Sequence, residues 1–404
     1  MKISMAERME AFGESVFAEL SRMKKAKISA GEDVIDLSIG SPDLPPPLFI
    51  REAIAEGALD STQYGYSLAG TESFCNAVSS YYQNNHGVYI DPKEQCSLLM
   101  GSQDGLIHLP LALCSPGDYI LMPDPGYTAY AAGAALAGAK IYPMPLMKEK
   151  QFLPDFSEIP EEIREKAKMM ILNFPGNPVP GLANEAFFRE AIEFAKKYEI
   201  VILHDFAYSE LYFEEKPVSF LAVEGAFETG IEMNSLSKSF NMAGCRIAYA
   251  AGNEDIIRMI SDLKSHLDYG VFHPIQTAAA RALEDQSGFL AKSREVYRKR
   301  RDALVESLGE AGWDVDSPKG SMFIWAEIPN GISSREFSIR MLEEAGVAVT
   351  PGSAFGAAGE GFVRIALVQP EGRLRQAAQK ISYSGILNTN LSFENSSMRR
   401  DKNA

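Results

Sequence analysis

Long hydrophobic runs are largely missing from this chain of 404 residues. Spanning a bilayer takes roughly 20 consecutive apolar residues, and the nearest candidate, Pro125 to Ala139, is short and rich in Ala and Gly. A membrane-embedded protein is therefore not expected. Export is not indicated either, because Met1 to Lys27 mixes charges with apolar residues at helical spacing and lacks the continuous apolar stretch of a secretory signal. Positive charge is short as well: 39 Lys and Arg stand against 54 Asp and Glu, a formal net charge of −15. Such a surface repels phosphate backbones and anionic lipid, so neither nucleic acid nor membrane is an expected partner. Cysteine is scarce. Cys75, Cys96, Cys114 and Cys245 form no C-x-x-C pair and fall in segments that read as helix or buried strand, which fits reduced thiols in a cytoplasm. The five histidines are scattered without paired spacing, so no metal site is expected.

Apolar residues are plentiful, at 46%, enough for a large core and a smaller second domain. β-branched and apolar bursts recur at Cys96 to Met100, Tyr119 to Met122, Met169 to Leu172 and Ile200 to Leu203, separated by amphipathic helical stretches. That alternation predicts right-handed βαβ crossovers and an α/β fold, a mostly parallel sheet sandwiched by helices. Ligands of such sheets collect at the carboxyl ends of the strands, where the polar punctuation falls here: Gly101 to Gln103, Asp124 to Tyr127, Asn173 to Asn177 and Asp205 to Tyr208. Beyond about residue 290 the pattern changes to a charged helix, Lys292 to Leu308, a strand at Met322 to Ile328, a helix from Ser333 and a strand at Phe362 to Val368. The expected division is a segment at 1–45 joining the small domain, a large ligand-binding domain at 46–290, a small α+β domain at 291–387 and a fraying tail at 388–404. The opening segment holds a helix and a strand at Val34 to Gly40, and Pro42 to Pro47 makes a stiff connector.

The chemistry centres on Ser235-Leu236-Ser237-Lys238-Ser239-Phe240-Asn241-Met242-Ala243-Gly244-Cys245-Arg246. A lysine beside small hydroxyls can attack an aldehyde, and a guanidinium eight positions on can hold the phosphate of the same cofactor, a pairing that pyridoxal 5'-phosphate requires. Asp205, at the end of a strand, could keep a pyridine nitrogen protonated, or serve simply as a helix N-cap. Tyr208 and Asn177 could each donate to the cofactor's phenolic oxygen, although the Asn173-Phe174-Pro175-Gly176-Asn177-Pro178 segment also reads as a plain turn. Gly101-Ser102-Gln103 leads into a helix whose free amides suit an anion, and Ser102, Gln103, Ser235 and Arg246 could surround a phosphate. Tyr127 is placed to stack on a cofactor ring or to fill the core. Arg364 is a charge inside an apolar strand, which calls for an anionic partner: a substrate α-carboxylate or a structural ion pair.

The ordered set resembles the fold-type I pyridoxal-phosphate enzymes, specifically the class I/II aminotransferases, from Gly40 to Arg364. The resemblance implies Lys238 as Schiff-base lysine and proton shuttle, Asp205 as partner of the pyridine nitrogen, and Asn177 and Tyr208 as contacts to the ring oxygen. It implies Tyr127 as the stacking aromatic, Ser102, Gln103, Ser235 and Arg246 as phosphate contacts, and Gly40, Asn177 and Arg364 as substrate contacts. Tyr64, in Tyr64-Gly65-Tyr66-Ser67-Leu68-Ala69-Gly70, matches the tyrosine that members send into the neighbouring subunit's phosphate site, which implies a homodimer. Three positions depart from the family pattern. Asn177-Pro178-Val179-Pro180 replaces Asn-Pro-Thr-Gly, Cys245 stands where a bulky apolar or aromatic residue is common, and Asp268 lies where dicarboxylate-specific members carry an arginine. Aspartate is therefore an unfavoured substrate. The wording of His204-Asp205-Phe206-Ala207-Tyr208 and Asn241-Met242-Ala243-Gly244 is similar to a bacterial subgroup of LL-diaminopimelate, methionine and aromatic aminotransferases. That subgroup implies ping-pong transfer from a large neutral, aromatic, methionine or diaminopimelate-like amino acid to a 2-oxo acid such as 2-oxoglutarate. A C-S β-lyase on the same fold is the alternative reaction, and a non-catalytic sensor the alternative class.

Overall fold

The computed structural model describes residues 3–12, 16–329 and 331–387. Its strands, in chain order, are β1 (Ile35–Asp36), β2 (Cys96–Leu99), β3 (Tyr119–Asp124), β4 (Lys140–Pro145), β5 (Ala167–Leu172), β6 (Val201–Asp205), β7 (Gly230–Ser235), β8 (Ala248–Gly252), β9 (Phe323–Glu327), β10 (Val347–Ala348), β11 (Thr350–Pro351) and β12 (Phe362–Ala366). Seven of them form the main sheet in the order β2-β8-β7-β6-β5-β3-β4. β3 to β7 run parallel, and β8 is antiparallel to both of its neighbours, β2 and β7.

Both faces of this sheet are buried, as a parallel sheet requires. Alternate residues of one strand enter different cores, because successive side chains point to opposite faces. Met170 and Leu172 join the core that includes Phe74, Tyr82 and Phe188, whereas Met169 and Ile171 join the one around Leu106 and Tyr130. A separate core under the antiparallel sheet β11-β12-β9 gathers Tyr297, Leu304, Phe323, Phe337 and Leu374. The helix Phe289–Glu310 runs from the first of these regions into the second: Phe289 packs on the large-sheet core and Leu304 lies inside the small one.

Several expected elements differ from those observed. The strand expected at Val34 to Gly40 is only Ile35–Asp36, paired in parallel with β10; Leu37 still bonds Ala348 and Ala366 through its backbone, and the chain then leaves the ladder. Five strands were not expected at all, the short β10 and β11 and three of the main sheet. β4 contains Pro143 and Pro145, which an edge strand tolerates because one of its sides has no partner. β8 is Ala-Tyr-Ala-Ala-Gly, with no β-branched residue. β7 carries Glu232, which is 0% exposed and stays there because Tyr82, Ser219, His204 and the Phe220 amide all bond its carboxylate. The tail expected at 388–404 lies outside the described residues. Among the described residues no helix is long and apolar enough to cross a membrane.

Candidate active site

β2, β3, β5, β6 and β7 all end at one edge of the sheet, and the loops that follow them enclose a cavity of about 390 Å³. Gly40, Ser102, Gln103, Tyr127, Asn177, Asp205, Tyr208, Ser235, Lys238, Arg246 and Arg364 all line it. Of the residues expected to contact cofactor or substrate, only Tyr64 is elsewhere. It is 64% exposed, donates its hydroxyl to Ala58 O at 2.8 Å and tilts against Phe272.

Lys238 sits in the single helical turn Leu236–Ser239 after β7, a turn capped by Ser235 Oγ, which accepts from the Ser237 amide at 3.2 Å. Its Nζ donates to Gly40 O at 2.7 Å. Burial, and then repulsion from Arg364 and Arg246, bring its pKa down to about 8, with Asp205 pulling the other way. A buried amine with that pKa is a usable nucleophile near neutral pH.

Asp205 closes β6 and is 4% exposed. Its Oδ2 accepts from Tyr130 Oη at 2.8 Å, its Oδ1 from the Ala207 amide at 3.3 Å, and its carbonyl from Asn173 Nδ2 at 2.6 Å. Burial pushes the carboxyl above its ordinary value, opposed chiefly by the Tyr130 hydrogen bond, so a cation beside it would be bound strongly. Neither Tyr130 nor Asn173 was singled out in the sequence. Tyr130 lies one helical turn beyond Tyr127, and only the chain's path brings it to a carboxylate 75 residues away.

Arg364 lies in the middle of β12 and is 4% exposed. It donates through Nη1 to Asn177 Oδ1 at 2.7 Å and through Nη2 to Ser38 O at 2.8 Å, and it sits over the rings of Phe323 and Phe355. No carboxylate pairs with it among the described residues, its Nε is buried without a partner, and burial brings its pKa down to about 10. The structural ion pair considered for it is thus not formed. Asn177 is held by its own amide, which donates to Asn173 Oδ1 at 2.9 Å. The turn between them is tight: a Cβ on Gly176 would stand 2.6 Å from Asn173 O. Val179, in the departing Pro178-Val179-Pro180 stretch, is buried.

Opposite these groups the helix Ser102–Leu113 starts at Gly101, which has φ 80° and offers no side-chain cap. A Cβ there would lie 2.2 Å from Arg246 Nη2, so only glycine lets the guanidinium lie across the helix start. Arg246 itself is exposed and bonds Ala243 O at 3.0 Å and Met100 O at 3.5 Å. Uncapped amides and an exposed guanidinium make a cradle for a phosphate. Tyr127 is half-buried between this cradle and Asp205, its hydroxyl 3.5 Å from Gln103 and its ring edge-on to Tyr130. Tyr208 is buried against Phe323, and its phenol is pushed well above its ordinary pKa by burial. Asp268 does not line this cavity: both its oxygens bind Lys264 Nζ, which also binds Asp104 at 2.5 Å.

An amine of lowered pKa, a buried carboxylate, an aromatic face and a phosphate cradle in one cavity fit the groups of pyridoxal 5'-phosphate. The comparisons agree. The family described as "Aminotransferase class I and II" matches residues 32–381. The LL-diaminopimelate aminotransferase of Halothermothrix orenii is 42% identical over 94% of this chain and 98% of its own length. The L-glutamine--4-(methylsulfanyl)-2-oxobutanoate aminotransferase of Bacillus subtilis is 41% identical over 94% of this chain and 96% of its own. Substrate-bound BacF from the same organism superposes with a TM-score of 0.92 at 38% identity, covering 95% of this chain and 98% of that one. A probable N-succinyldiaminopimelate aminotransferase from Thermus thermophilus does so with a TM-score of 0.87 at 35% identity, over 92% and 100%. On family, relatives and architecture together, this chain belongs to the class I/II aminotransferases of fold type I, enzymes that work with pyridoxal 5'-phosphate.

Proposed function

We propose that the enzyme moves the amino group of an L-amino acid with a large neutral or diaminopimelate-like side chain to a 2-oxo acid such as 2-oxoglutarate, in a ping-pong reaction. The observation that carries this reading is Arg364, a buried guanidinium without a carboxylate partner that shares a cavity with Lys238 and Asp205. Arg364 binds the α-carboxylate of donor and acceptor in turn, with Asn177 as its neighbour, so both substrates present the same carbon to Lys238. Lys238 would hold the cofactor through its aldehyde, and its amine, when free, is placed to carry the proton to and from the substrate's α-carbon. Asp205, oriented by Tyr130, would hold the ring nitrogen in its protonated form, and a cofactor so held would supply an electron sink for the α-carbon. Tyr208 and Asn177 would bond the ring oxygen, Tyr127 would cover the ring face, and Ser102, Gln103, Ser235 and Arg246 would hold the phosphate.

For the side chain, Ile39 and Phe355 line the cavity and Asp205 is the one acidic residue that does so among the described residues, which supports a large neutral donor. The names of the relatives extend the choice to LL-diaminopimelate and methionine-related donors. The engagement of Asp268 with Lys264 supports a poor fit for aspartate. A homodimer belongs to this reading: Tyr64, Tyr66, Leu68, Leu267, Tyr269 and Phe272 are exposed together, and a second copy would cover them and receive Tyr64 at its phosphate site. A cytoplasmic setting is supported by four unpaired thiols.

Mixing the reconstituted enzyme with single donors tests the reading. Without an acceptor, methionine, phenylalanine or LL-diaminopimelate should yield one 2-oxo acid per site and stop, and 2-oxoglutarate should restart turnover. Sustained release of ammonia and pyruvate from cystathionine without acceptor would instead favour the β-lyase.

A further inference from the structure

Between β1 and the helix Leu48–Leu59, Ser38 to Asp43 forms a strap of which Ser38 to Ser41 line the cavity, and two of its carbonyls accept from the two functional cations. Ser38 O accepts from Arg364 Nη2 at 2.8 Å and Gly40 O from Lys238 Nζ at 2.7 Å. The strap begins at a fixed point, since the Leu37 amide donates to Ala348 O at 2.9 Å and Leu37 O accepts from the Ala366 amide at 2.8 Å. It ends at another. Arg300, 4% exposed on the helix Phe289–Glu310, grips both oxygens of Asp43, with Nη1 2.7 Å from Oδ1 and Nη2 2.8 Å from Oδ2. The same Nη1 donates to Leu367 O at 3.0 Å, just past the strand that carries Arg364.

We infer that Arg300 and Asp43 are a positioning pair that sets the strap against β12 and thereby tunes how tightly Arg364 binds a substrate carboxylate. The two-pronged grip fixes direction as well as distance, which a single ammonium could not do. The strap touches the guanidinium directly through Ser38 O, 2.8 Å from Arg364 Nη2, and a Cβ on Gly40 would come into ordinary van der Waals contact with Arg364 Nη1 and the Phe323 ring. Displacement by about 1 Å at such a site costs on the order of a hundredfold in rate. The helix Phe289–Glu310 spans the two cores, so the pair also makes carboxylate affinity answer to where that helix lies.

The inference rests on the aminotransferase reading, and the test separates the two. The probe is 3-phenylpropanoate, a carboxylate without an amino group, titrated into the reconstituted holoenzyme by calorimetry. Arg364→Leu should abolish its binding; if it does not, Arg364 is not the carboxylate site and both readings fall. Asp43→Asn should raise the dissociation constant about ten- to hundredfold with cofactor content unchanged, and Arg300→Lys should follow. Charge alone predicts the opposite, since removing an anion near the site favours an anionic ligand. Unchanged or tighter binding in Asp43→Asn, with Arg364→Leu still defective, overturns the positioning pair alone. If Asp43→Asn does not fold because Arg300 is left uncompensated, Asp43→Asn/Arg300→Met removes both charges and decides by the same criterion. In turnover the loss should fall on KM for donor and acceptor alike.

Discussion

Replacing Tyr130 by phenylalanine removes one buried oxygen and should change how Asp205 titrates. Tyr130 is 0% and Asp205 4% exposed, and their hydrogen bond is 2.8 Å long. Burial holds the carboxyl above its ordinary 3.8, and the Tyr130 hydroxyl is the strongest influence pulling it back. A hydrogen bond to a buried charged group is worth about 1.5–3 kcal/mol, so its loss should raise the Asp205 pKa further. A carboxyl whose folded pKa exceeds its unfolded one lowers stability once pH rises past the unfolded value and has no such effect below it. Tyr130→Phe should therefore cost about 1.5–3 kcal/mol of stability near neutral pH, with a smaller deficit as the pH falls toward the ordinary carboxyl value. Urea unfolding of the cofactor-free protein at neutral and acid pH measures both. Equal deficits at the two pH values, or none, would refute the role given to this contact.

Two further outcomes are expected. Only a neutral amine attacks an aldehyde, so the rate at which the apoenzyme captures pyridoxal 5'-phosphate should rise with pH and level off above about 8, where Lys238 has lost its proton; a rate still climbing toward 10.5 would show an unperturbed lysine. Gly101→Ala places a Cβ against Arg246 at a φ of 80°, and should lower stability by about 1–2 kcal/mol and release cofactor faster on dialysis, whereas Gly372→Ala, with nothing within 4 Å, should do neither.

Much of the site is legible in the sequence because its members are polar residues that interrupt apolar strands or follow them. Asp205 and Asn177 come after recognisable strands, and Arg364 is conspicuous as a charge inside one. What escapes notice acts through the backbone or from a distance. The carbonyl of Ser38 belongs to a residue with no telling side chain, yet it receives a bond of Arg364, and Gly40, named only by resemblance, receives that of Lys238 through its carbonyl. Tyr130 looks like any core tyrosine, and Arg300 like one more cation on a charged helix, until the fold brings Asp205 and Asp43 to them. The missed strands have the same origin: nothing local reveals that Glu232 will be neutralised by four groups from three other segments, so β7 does not read as a buried strand. Tyr64 is the reverse case, a residue chosen by resemblance that lies outside the cavity of its own chain.

The central claim is that Lys238 is the side chain that bonds the cofactor. Borohydride reduction of the reconstituted enzyme, followed by peptide mass spectrometry, should place a single pyridoxyl adduct on Lys238 and none in Lys238→Ala. An adduct on a different lysine, or full transamination by Lys238→Ala, would contradict the account.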